Sequence, residues 1–167
     1  MKQKIFGITG WKNSGKTGLM ERLVAHITGL GYTVSTIKHA HHSFDVDHPG
    51  RDSYRHRAAG ASEVMLASKN RWALMQELRG APEPSFDMLL AQMAPVDLIL
   101  VEGYKRESHA KLECYRGVVT DALRAGDDPT ICAVASDVAL DIDITQFDLD
   151  NTAQIAAFIL DHQGLSK

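Results

Sequence analysis

The residues with the clearest chemical potential lie near the amino terminus, where Gly10-Trp11-Lys12-Asn13-Ser14-Gly15-Lys16-Thr17 fits the spacing G-x-x-x-x-G-K-[ST]. Such a loop turns successive backbone N–H groups toward a polyphosphate, and the helix that follows adds its positive end. Lys16 would lie between the β- and γ-phosphates, Thr17 would be a ligand for Mg²⁺, and Gly18 continues the predicted binding segment. The motif therefore predicts a nucleoside triphosphate and Mg²⁺ as cofactors.

A carboxylate near the magnesium ion is the second requirement of this chemistry, and two acids flank the apolar run 98–101. Ligands of open α/β sheets bind beyond the carboxyl ends of strands, which favours Glu102 over Asp97. Glu102 would hold Mg²⁺ through water or orient an attacking water, so we predict Lys16 and Glu102 as the catalytic residues and Asp97 as a turn or cap residue. Lys105 could face the same ligand, and a solvated cation is the alternative.

A polar segment at 39–57 contains a cluster of histidines interleaved with aspartates: His39, His41, His42, His48 and His56 with Asp45, Asp47 and Asp52. Three functions compete for it. Asp45 or Asp47 could coordinate Mg²⁺ in a nucleotide-sensing switch, the imidazoles could bind zinc or nickel, or the arginines at 51, 55 and 57 could clamp an anionic substrate. The alternative is a mobile polar loop with no single ligand. Asp47 is the predicted third metal ligand, and Asp52 is a predicted nucleotide-binding residue.

The sequence lacks the guanine-specific pattern N-K-x-D. Its nearest substitute is Ser136-Asp137, which follows the apolar run 133–135. An aspartate there could accept hydrogen bonds from the N1–H and the exocyclic amine of guanine, but Ser-Asp is also ordinary turn chemistry at the end of a strand. Ser136 and Asp137 are predicted base-binding residues, and chemistry alone leaves the base open.

An α/β fold is needed to position these residues. The run 5–9 is typical of a buried strand, Leu19, Leu23 and Ile27 recur at helical spacing, and 32–37 alternates as a second strand. Strand, helix and strand within so short a stretch predict a βαβ unit with a right-handed crossover. Further runs predict strands at 98–102 and 131–135 and a helix at 151–161. The expected fold is a three-layer P-loop nucleotide-binding fold with a mostly parallel sheet.

Weaker patterns complete the predicted organisation. They indicate a short helix capped by Asp52, a strand at 63–67, a helix at 72–78, a linker at 81–84 and a helix capped by Ser85. The segment 111–115 is predicted as an edge strand, and 121–128 as a solvated loop or short helix.

Length and composition further restrict the possible domain organisation and function of the chain. The 167 residues predict a single domain at 1–167, and the formal net charge of −3 gives no general attraction to nucleic acid or anionic lipid. The longest apolar run, 155–160, is far below the ~20 residues of a membrane span. Cys114 and Cys132 match no metal spacing, which favours a reducing compartment, and no signal peptide is recognisable, so we expect a cytoplasmic protein.

The chain resembles the MobB family of molybdopterin-guanine dinucleotide biosynthesis adaptor proteins, which are P-loop GTP-binding proteins. The likeness extends over most of the chain, excepting 79–95 and 116–130. Its most discriminating parts are the His-Asp segment, with Ile37-Lys38-His39, and Glu102-Gly103-Tyr104-Lys105. Where related families place a signature lysine, this chain has Trp11, with Lys12 one residue later.

The resemblance implies a cytoplasmic homodimer that binds GTP, hydrolyses it slowly and partners the guanylyltransferase that joins GMP to molybdopterin; molybdopterin is a further candidate ligand. By position, Gly10 to Thr17 become phosphate and magnesium binders and Glu102 their acidic partner. Three other functions stay open: a small-molecule kinase, a GTP-gated interaction protein, and a metallochaperone-type GTPase that uses the histidine segment.

Overall fold

The computed structural model describes residues 3–40 and 44–166, which form two compact units. One unit comprises the described parts of Met1–His39 and Met93–Lys167, and the other those of Ala40–Gln92. In chain order the elements are β1 (Ile5–Thr9), α1 (Lys16–Gly29), β2 (Val34–Lys38), α2 (Asp52–Ala58), β3 (Glu63–Ala67), β4 (Trp72–Gln76), α3 (Phe86–Ala91), β5 (Leu98–Glu102), β6 (Lys111–Tyr115), β7 (Ile131–Ser136), β8 (Thr145–Asp148) and α4 (Thr152–His162).

The first unit is built on a six-stranded sheet in the order β2-β5-β1-β6-β7-β8, and every neighbouring pair is parallel. The register sets Ile8 of β1 and Lys38 of β2 on either side of Glu102 of β5. Because the carboxyl ends of parallel strands share one edge, the segments after β1, β5, β6 and β7 meet there. The predicted α/β fold with a mostly parallel sheet is confirmed.

The core of this unit lies where α1 and α4 pack with the central strands. All five residues of β5 are buried, and the large apolar side chains of α1 and α4 join Phe6 and Ile8 in one cluster. Complete burial of each such side chain contributes about 1.5–3 kcal/mol before the entropy of ordering is counted. This packing gives the loops at the carboxyl edge a rigid support.

The second unit contains α2, α3 and an antiparallel hairpin in which β3 pairs with β4. Its polar centre is Arg57, which donates from Nη2 to Asp45 and from Nη1 to Glu77, both at 2.8 Å. Arg79 in turn donates to the carbonyl oxygens of Arg57 and Ala61. These bonds join α2 to the segments before it and after β4.

Two predictions of secondary structure need correction, and both concern segments that are strands in the structure. The helix predicted at 72–78 is wrong, because Trp72–Gln76 is strand β4; its Ala, Leu, Met and Gln favour helix intrinsically, and pairing with β3 overrides that preference. The segment 111–115 is a strand, but it lies between β1 and β7 and not at an edge. Its charged residues Lys111 and Glu113 are both fully buried.

Smaller differences concern caps and one strand. Asp52 is the first residue of α2, and its cap position is Arg51. Strand β8 was not predicted, because its sequence Thr-Gln-Phe-Asp is too polar to be recognised as a buried strand. Ser85 caps α3 as expected, accepting a hydrogen bond from the Met88 amide at 3.2 Å.

Within the described parts of the chain, no helix combines the length and apolar character needed to span a membrane.

Candidate functional site

The loop between β1 and α1 has a backbone that only its glycines adopt readily. Gly10 has φ 137° and Gly15 has φ 91°. A Cβ on Gly10 would lie 2.4 Å from the Cys114 carbonyl oxygen and 2.6 Å from Ser14 Oγ, so this position has no room for a side chain. The loop ends directly in the first residue of α1, and no side chain caps that helix. Its first N–H groups therefore remain available to an anion.

Lys16 folds back over this loop. Its Nζ donates to the Trp11 carbonyl oxygen at 2.5 Å and lies 3.5 Å from Ser14 Oγ. Burial is the main cause that lowers the pKa of Lys16, and the nearby Glu102 carboxylate acts in the opposite direction. A phosphate oxygen entering the loop would supply the ammonium group with a charged acceptor in place of a neutral carbonyl.

Glu102 ends β5 beside the loop and is 9% exposed. Its Oε1 lies 3.3 Å from Nζ of Lys38 on the neighbouring strand. After it the chain turns through Gly103 and Tyr104, both with positive φ, and the ring of Tyr104 lies 4.8 Å from that of His39. The structure thus adds Lys38 to the predicted site. Register across β2 and β5 places it there, a relation that the sequence alone does not reveal.

Trp11 is surrounded by cations. Lys105 Nζ lies 4.7 Å from the centre of the Trp11 ring and the Arg124 guanidinium 5.7 Å from it. The indole Nε1 donates to the Ala122 carbonyl oxygen at 2.8 Å. Trp11 and Lys105 were predicted as binding residues, whereas Arg124 was not, because it follows no recognisable motif.

Arg116, which follows β6, is a second arginine that the sequence did not reveal. A Cβ placed on Gly15 would lie 3.1 Å from Arg116 Nε, so the guanidinium borders the phosphate-binding loop. This Nε is buried and has no hydrogen-bond partner among the described residues. A buried N–H of a charged group is costly without an acceptor, and an anion held by the loop would lie in its vicinity.

Ser136 is the last residue of β7, Asp137 follows it, and both hold the adjacent turns. Asp137 Oδ1 accepts from the Gly117 amide at 2.8 Å, and Ser136 Oγ accepts from the Val138 amide at 3.1 Å. Asp137 thus ties the loop after β7 to the loop after β6. Its exposed position at the carboxyl edge is compatible with a base, while one of its oxygens already has this structural role.

The other predicted site residues belong to different surroundings. Asp97 precedes β5 and accepts from the Thr33 amide and hydroxyl, both at 2.7 Å, as its predicted turn role requires. Asp47 and Asp52 belong to the second unit: Asp47 Oδ2 lies 3.7 Å from Arg57 Nε, and Asp52 is an exposed residue at the start of α2. His41 and His42 lie outside the described residues.

The donor set fits Mg²⁺ bound together with a polyphosphate. Thr17 is exposed in the first turn of α1, and Glu102 supplies a carboxylate at the same edge. Among residues 3–40 and 44–166, no three His, Cys, Asp or Glu side chains lie together as a metal cage. Mg²⁺ does not need such a cage, because it takes most of its ligands from phosphate oxygens and water.

A parallel sheet with β1 at its centre, followed by a glycine loop and an uncapped helix, defines the P-loop class of α/β proteins. A sequence profile of one family in this class, described as Molybdopterin guanine dinucleotide synthesis protein B (MobB), matches residues 5–137. The chain belongs to this family.

Relatives and solved structures agree with this assignment. The chain is 42% identical over 158 residues to the molybdopterin-guanine dinucleotide biosynthesis adapter protein of Haemophilus influenzae, covering 93% of this chain and 86% of that protein. It is 38% identical to the adapter protein of Escherichia coli, covering 94% and 91%. The crystal structure of a MobB homolog from Bacillus stearothermophilus matches with a TM-score of 0.70 and 25% identity, covering 97% and 99%. Bacillus subtilis MobB, 20% identical with a TM-score of 0.72 and coverage of 95% and 96%, shares the fold.

Proposed function

We propose that this chain is a GTP-binding adaptor protein with weak GTPase activity, which assists a guanylyltransferase in attaching GMP to molybdopterin. The observation that carries the proposal is the glycine loop at 10–15, which leads into the uncapped first turn of α1. Family membership and the names of the adapter proteins from Haemophilus influenzae and Escherichia coli support the biosynthetic role.

The residues of the loop would bind the phosphates. Amides of 13–17 and the Lys16 ammonium would neutralise the triphosphate, and Thr17 and Glu102 would hold Mg²⁺ directly or through water. The bound Mg²⁺ would supply charge neutralisation on the phosphate oxygens. Lys38 Nζ lies 3.3 Å from Glu102 Oε1, so Lys38 and the bound Mg²⁺ would share this carboxylate. Asp47 remains a proposed metal ligand and Asp52 a proposed nucleotide contact.

Guanine recognition is proposed for the edge formed after β7. Asp137 is exposed there and Ser136 lies directly before it, so the carboxylate could accept from both N–H groups of guanine. Adenine offers no such pair of donors in that arrangement. A preference for GTP over ATP is therefore expected to depend on Asp137.

The proposed partners are a second copy of the chain and the guanylyltransferase, with molybdopterin as a further ligand, in the cytoplasm. The hairpin of the second unit supports a protein partner, because it exposes Met65 (63%), Trp72 (67%) and Leu74 (42%). Sedimentation equilibrium of the intact chain, expected to give twice the monomer mass, tests the homodimer.

Isothermal titration calorimetry with GTP, GDP and ATP, each with and without Mg²⁺, tests the nucleotide proposal. We expect GTP to bind more tightly than ATP and Mg²⁺ to strengthen GTP binding. Lys16→Ala should weaken GTP binding about 10- to 100-fold, because a charge-assisted contact is worth ~1.5–3 kcal/mol. The control is Lys4→Ala, which removes an exposed positive charge just before β1, at the opposite edge of the sheet.

Two further variants separate the roles. Glu102→Gln should preserve GTP binding and slow hydrolysis measured without any acceptor, whereas Asp137→Asn should lower the GTP-to-ATP affinity ratio. Equal affinity for GTP and ATP in the unmodified protein would contradict guanine recognition. Unchanged GTP affinity in Lys16→Ala would contradict the phosphate site itself.

A further inference from the structure

A cavity of about 520 Å³ lies beside the phosphate-binding loop within the first unit. Trp11, Lys105, Arg106 and Arg124 are among its lining residues, together with Asp127 and Asp128 of the segment before β7. We name it the anion pocket. Its volume lies in the range of small-molecule sites, and it exceeds what a single phosphate group fills.

The cations of the anion pocket lie close together around Trp11. Lys105 and Arg124 both lie against the Trp11 ring, and Arg124 Nε is buried without a hydrogen-bond partner among the described residues. The pKa of Lys105 is lowered, first by burial and then by the positive charges of Arg124 and Lys16. An anion that binds between such like charges relieves their mutual repulsion, which favours its binding.

Buried contacts hold the segment of Arg124 in place. The Glu113 carboxylate, fully buried, accepts from the Arg124 amide at 2.9 Å and from the Ala125 amide at 2.8 Å. Trp11 Nε1 donates to Ala122 of the same segment. Arg124 thus projects from a segment that is fixed in advance, which lowers the entropic cost of binding.

The two aspartates of the lining have the opposite charge. Asp128 accepts from the Thr130 amide at 3.0 Å and from its hydroxyl at 2.5 Å, so this carboxylate is held in a defined orientation. Aspartates facing the cavity repel a phosphate and accept hydrogen bonds from N–H or O–H groups. The lining therefore suits a molecule that carries both a phosphate and hydrogen-bond donors.

We propose that the anion pocket binds a phosphate monoester carrying hydrogen-bond donors, as a second ligand beside the nucleotide. The phosphate lies between Lys105 and Arg124, and the donor groups face Asp127 and Asp128. The proposal rests on the proposed function only in assigning the neighbouring loop to the nucleotide. The γ-phosphate of that nucleotide is the competing source of the same chemistry, and the experiment separates the two.

Trp11 fluorescence provides the readout. The chain has two tryptophans, and Trp72 is exposed, so Trp72→Phe makes Trp11 the sole tryptophan. The protein is titrated with ribose 5-phosphate, a monoester with hydroxyl donors, once without nucleotide and once saturated with GDP; ribose without phosphate is the ligand control. We expect a saturable change of Trp11 emission with ribose 5-phosphate and none with ribose.

Variants locate the response. Arg124→Ala and Lys105→Ala should each raise the apparent Kd about tenfold or more, and Arg124→Lys should restore part of the loss. Lys4→Ala, at the opposite edge, should leave the Kd unchanged. Far-UV circular dichroism confirms that each variant is folded, and Lys105→Ala provides an independent answer if Arg124→Ala does not fold.

Three results would overturn the proposal: no saturable response, an unchanged Kd in both alanine variants, or a response that GDP abolishes. The last result would assign the phosphate to the nucleotide loop, as would an effect of Arg124→Ala on GTP affinity without one on ribose 5-phosphate. If calorimetry shows that no nucleotide binds, the titration without GDP decides the proposal. A response that survives Lys16→Ala and is lost in Arg124→Ala then supports the anion pocket although the proposed function has failed.

Discussion

Glu113 offers the sharpest test of how the fold supports the candidate site. This carboxylate is fully buried on β6 and accepts the amide hydrogens of Arg124 and Ala125. It therefore anchors the segment that brings Arg124 and the Ala122 carbonyl to Trp11. Glu113→Gln keeps one acceptor oxygen and places an NH₂ group against an amide donor, whereas Glu113→Ala leaves both amides without this partner.

The expected magnitudes follow from these bonds. A buried amide left without an acceptor costs about 1–3 kcal/mol, so Glu113→Ala should lose about 2–6 kcal/mol from two amides. Burial raises the pKa of Glu113, which means that ionisation itself costs folding free energy that a neutral side chain recovers. With that offset, we expect losses of about 3 kcal/mol for Glu113→Ala and about 1 kcal/mol for Glu113→Gln.

Urea unfolding followed by circular dichroism measures these losses. With an m-value of about 2 kcal/mol/M, the midpoints should fall by about 1.5 M for Glu113→Ala and about 0.5 M for Glu113→Gln. Glu21→Gln, an exposed site on α1, is the matched control and should not shift the midpoint. A Glu113→Gln variant as stable as the unmodified protein, with unaltered Trp11 emission, would refute the anchoring role.

Two further predictions concern other buried groups. Arg116→Ala should weaken GTP binding about fivefold to tenfold in calorimetry while leaving the urea midpoint unchanged, because its guanidinium borders Gly15; an unchanged Kd would remove it from the site. Burial, and secondarily the charge of Lys111, lowers the pKa of His109 to about 4 from 6.5, so the unfolded chain takes up the proton first. The free energy of unfolding should therefore fall as the pH decreases from about 6.5 to 4. His109→Gln should reduce this total loss by ~1–2 kcal/mol after allowance for partial exposure; an identical loss in both proteins would contradict the prediction.

The sequence predicted those parts of the fold that rest on local pattern. The glycine spacing at 10–15, the apolar run of β5 and the helical repeat of α1 each carry their own signal, and the structure has these elements at nearly the predicted positions. Motif and element coincide here because a phosphate-binding loop requires a strand before it and a helix after it. Glu102 at the end of β5 could be selected for the same reason.

The parts that the sequence did not predict depend on long-range pairing. Lys111 and Glu113 are charged residues in a strand that the sequence placed at an edge, yet both are buried because distant partners satisfy them. Lys111 Nζ donates to Thr130 Oγ1 at 2.7 Å, across nineteen positions of sequence, and Glu113 accepts from the segment at 124–125. Arg116 and Arg124 belong to loops without a motif. Only the sheet order shows that these loops lie near residues 10–17.

These long-range bonds suggest why β6 has an unusual composition for an interior strand. A buried Lys and a buried Glu cost more than apolar residues would in the same places. Each of them, however, fixes a connecting segment: Lys111 fixes the turn that contains Glu107 and His109, and Glu113 fixes the segment that contains Arg124. An apolar β6 would pack as well and would leave both segments unanchored. Glu113 is therefore best explained by the position that it imposes on Arg124 beside Trp11, and Lys111 by the turn that it holds between β5 and β6.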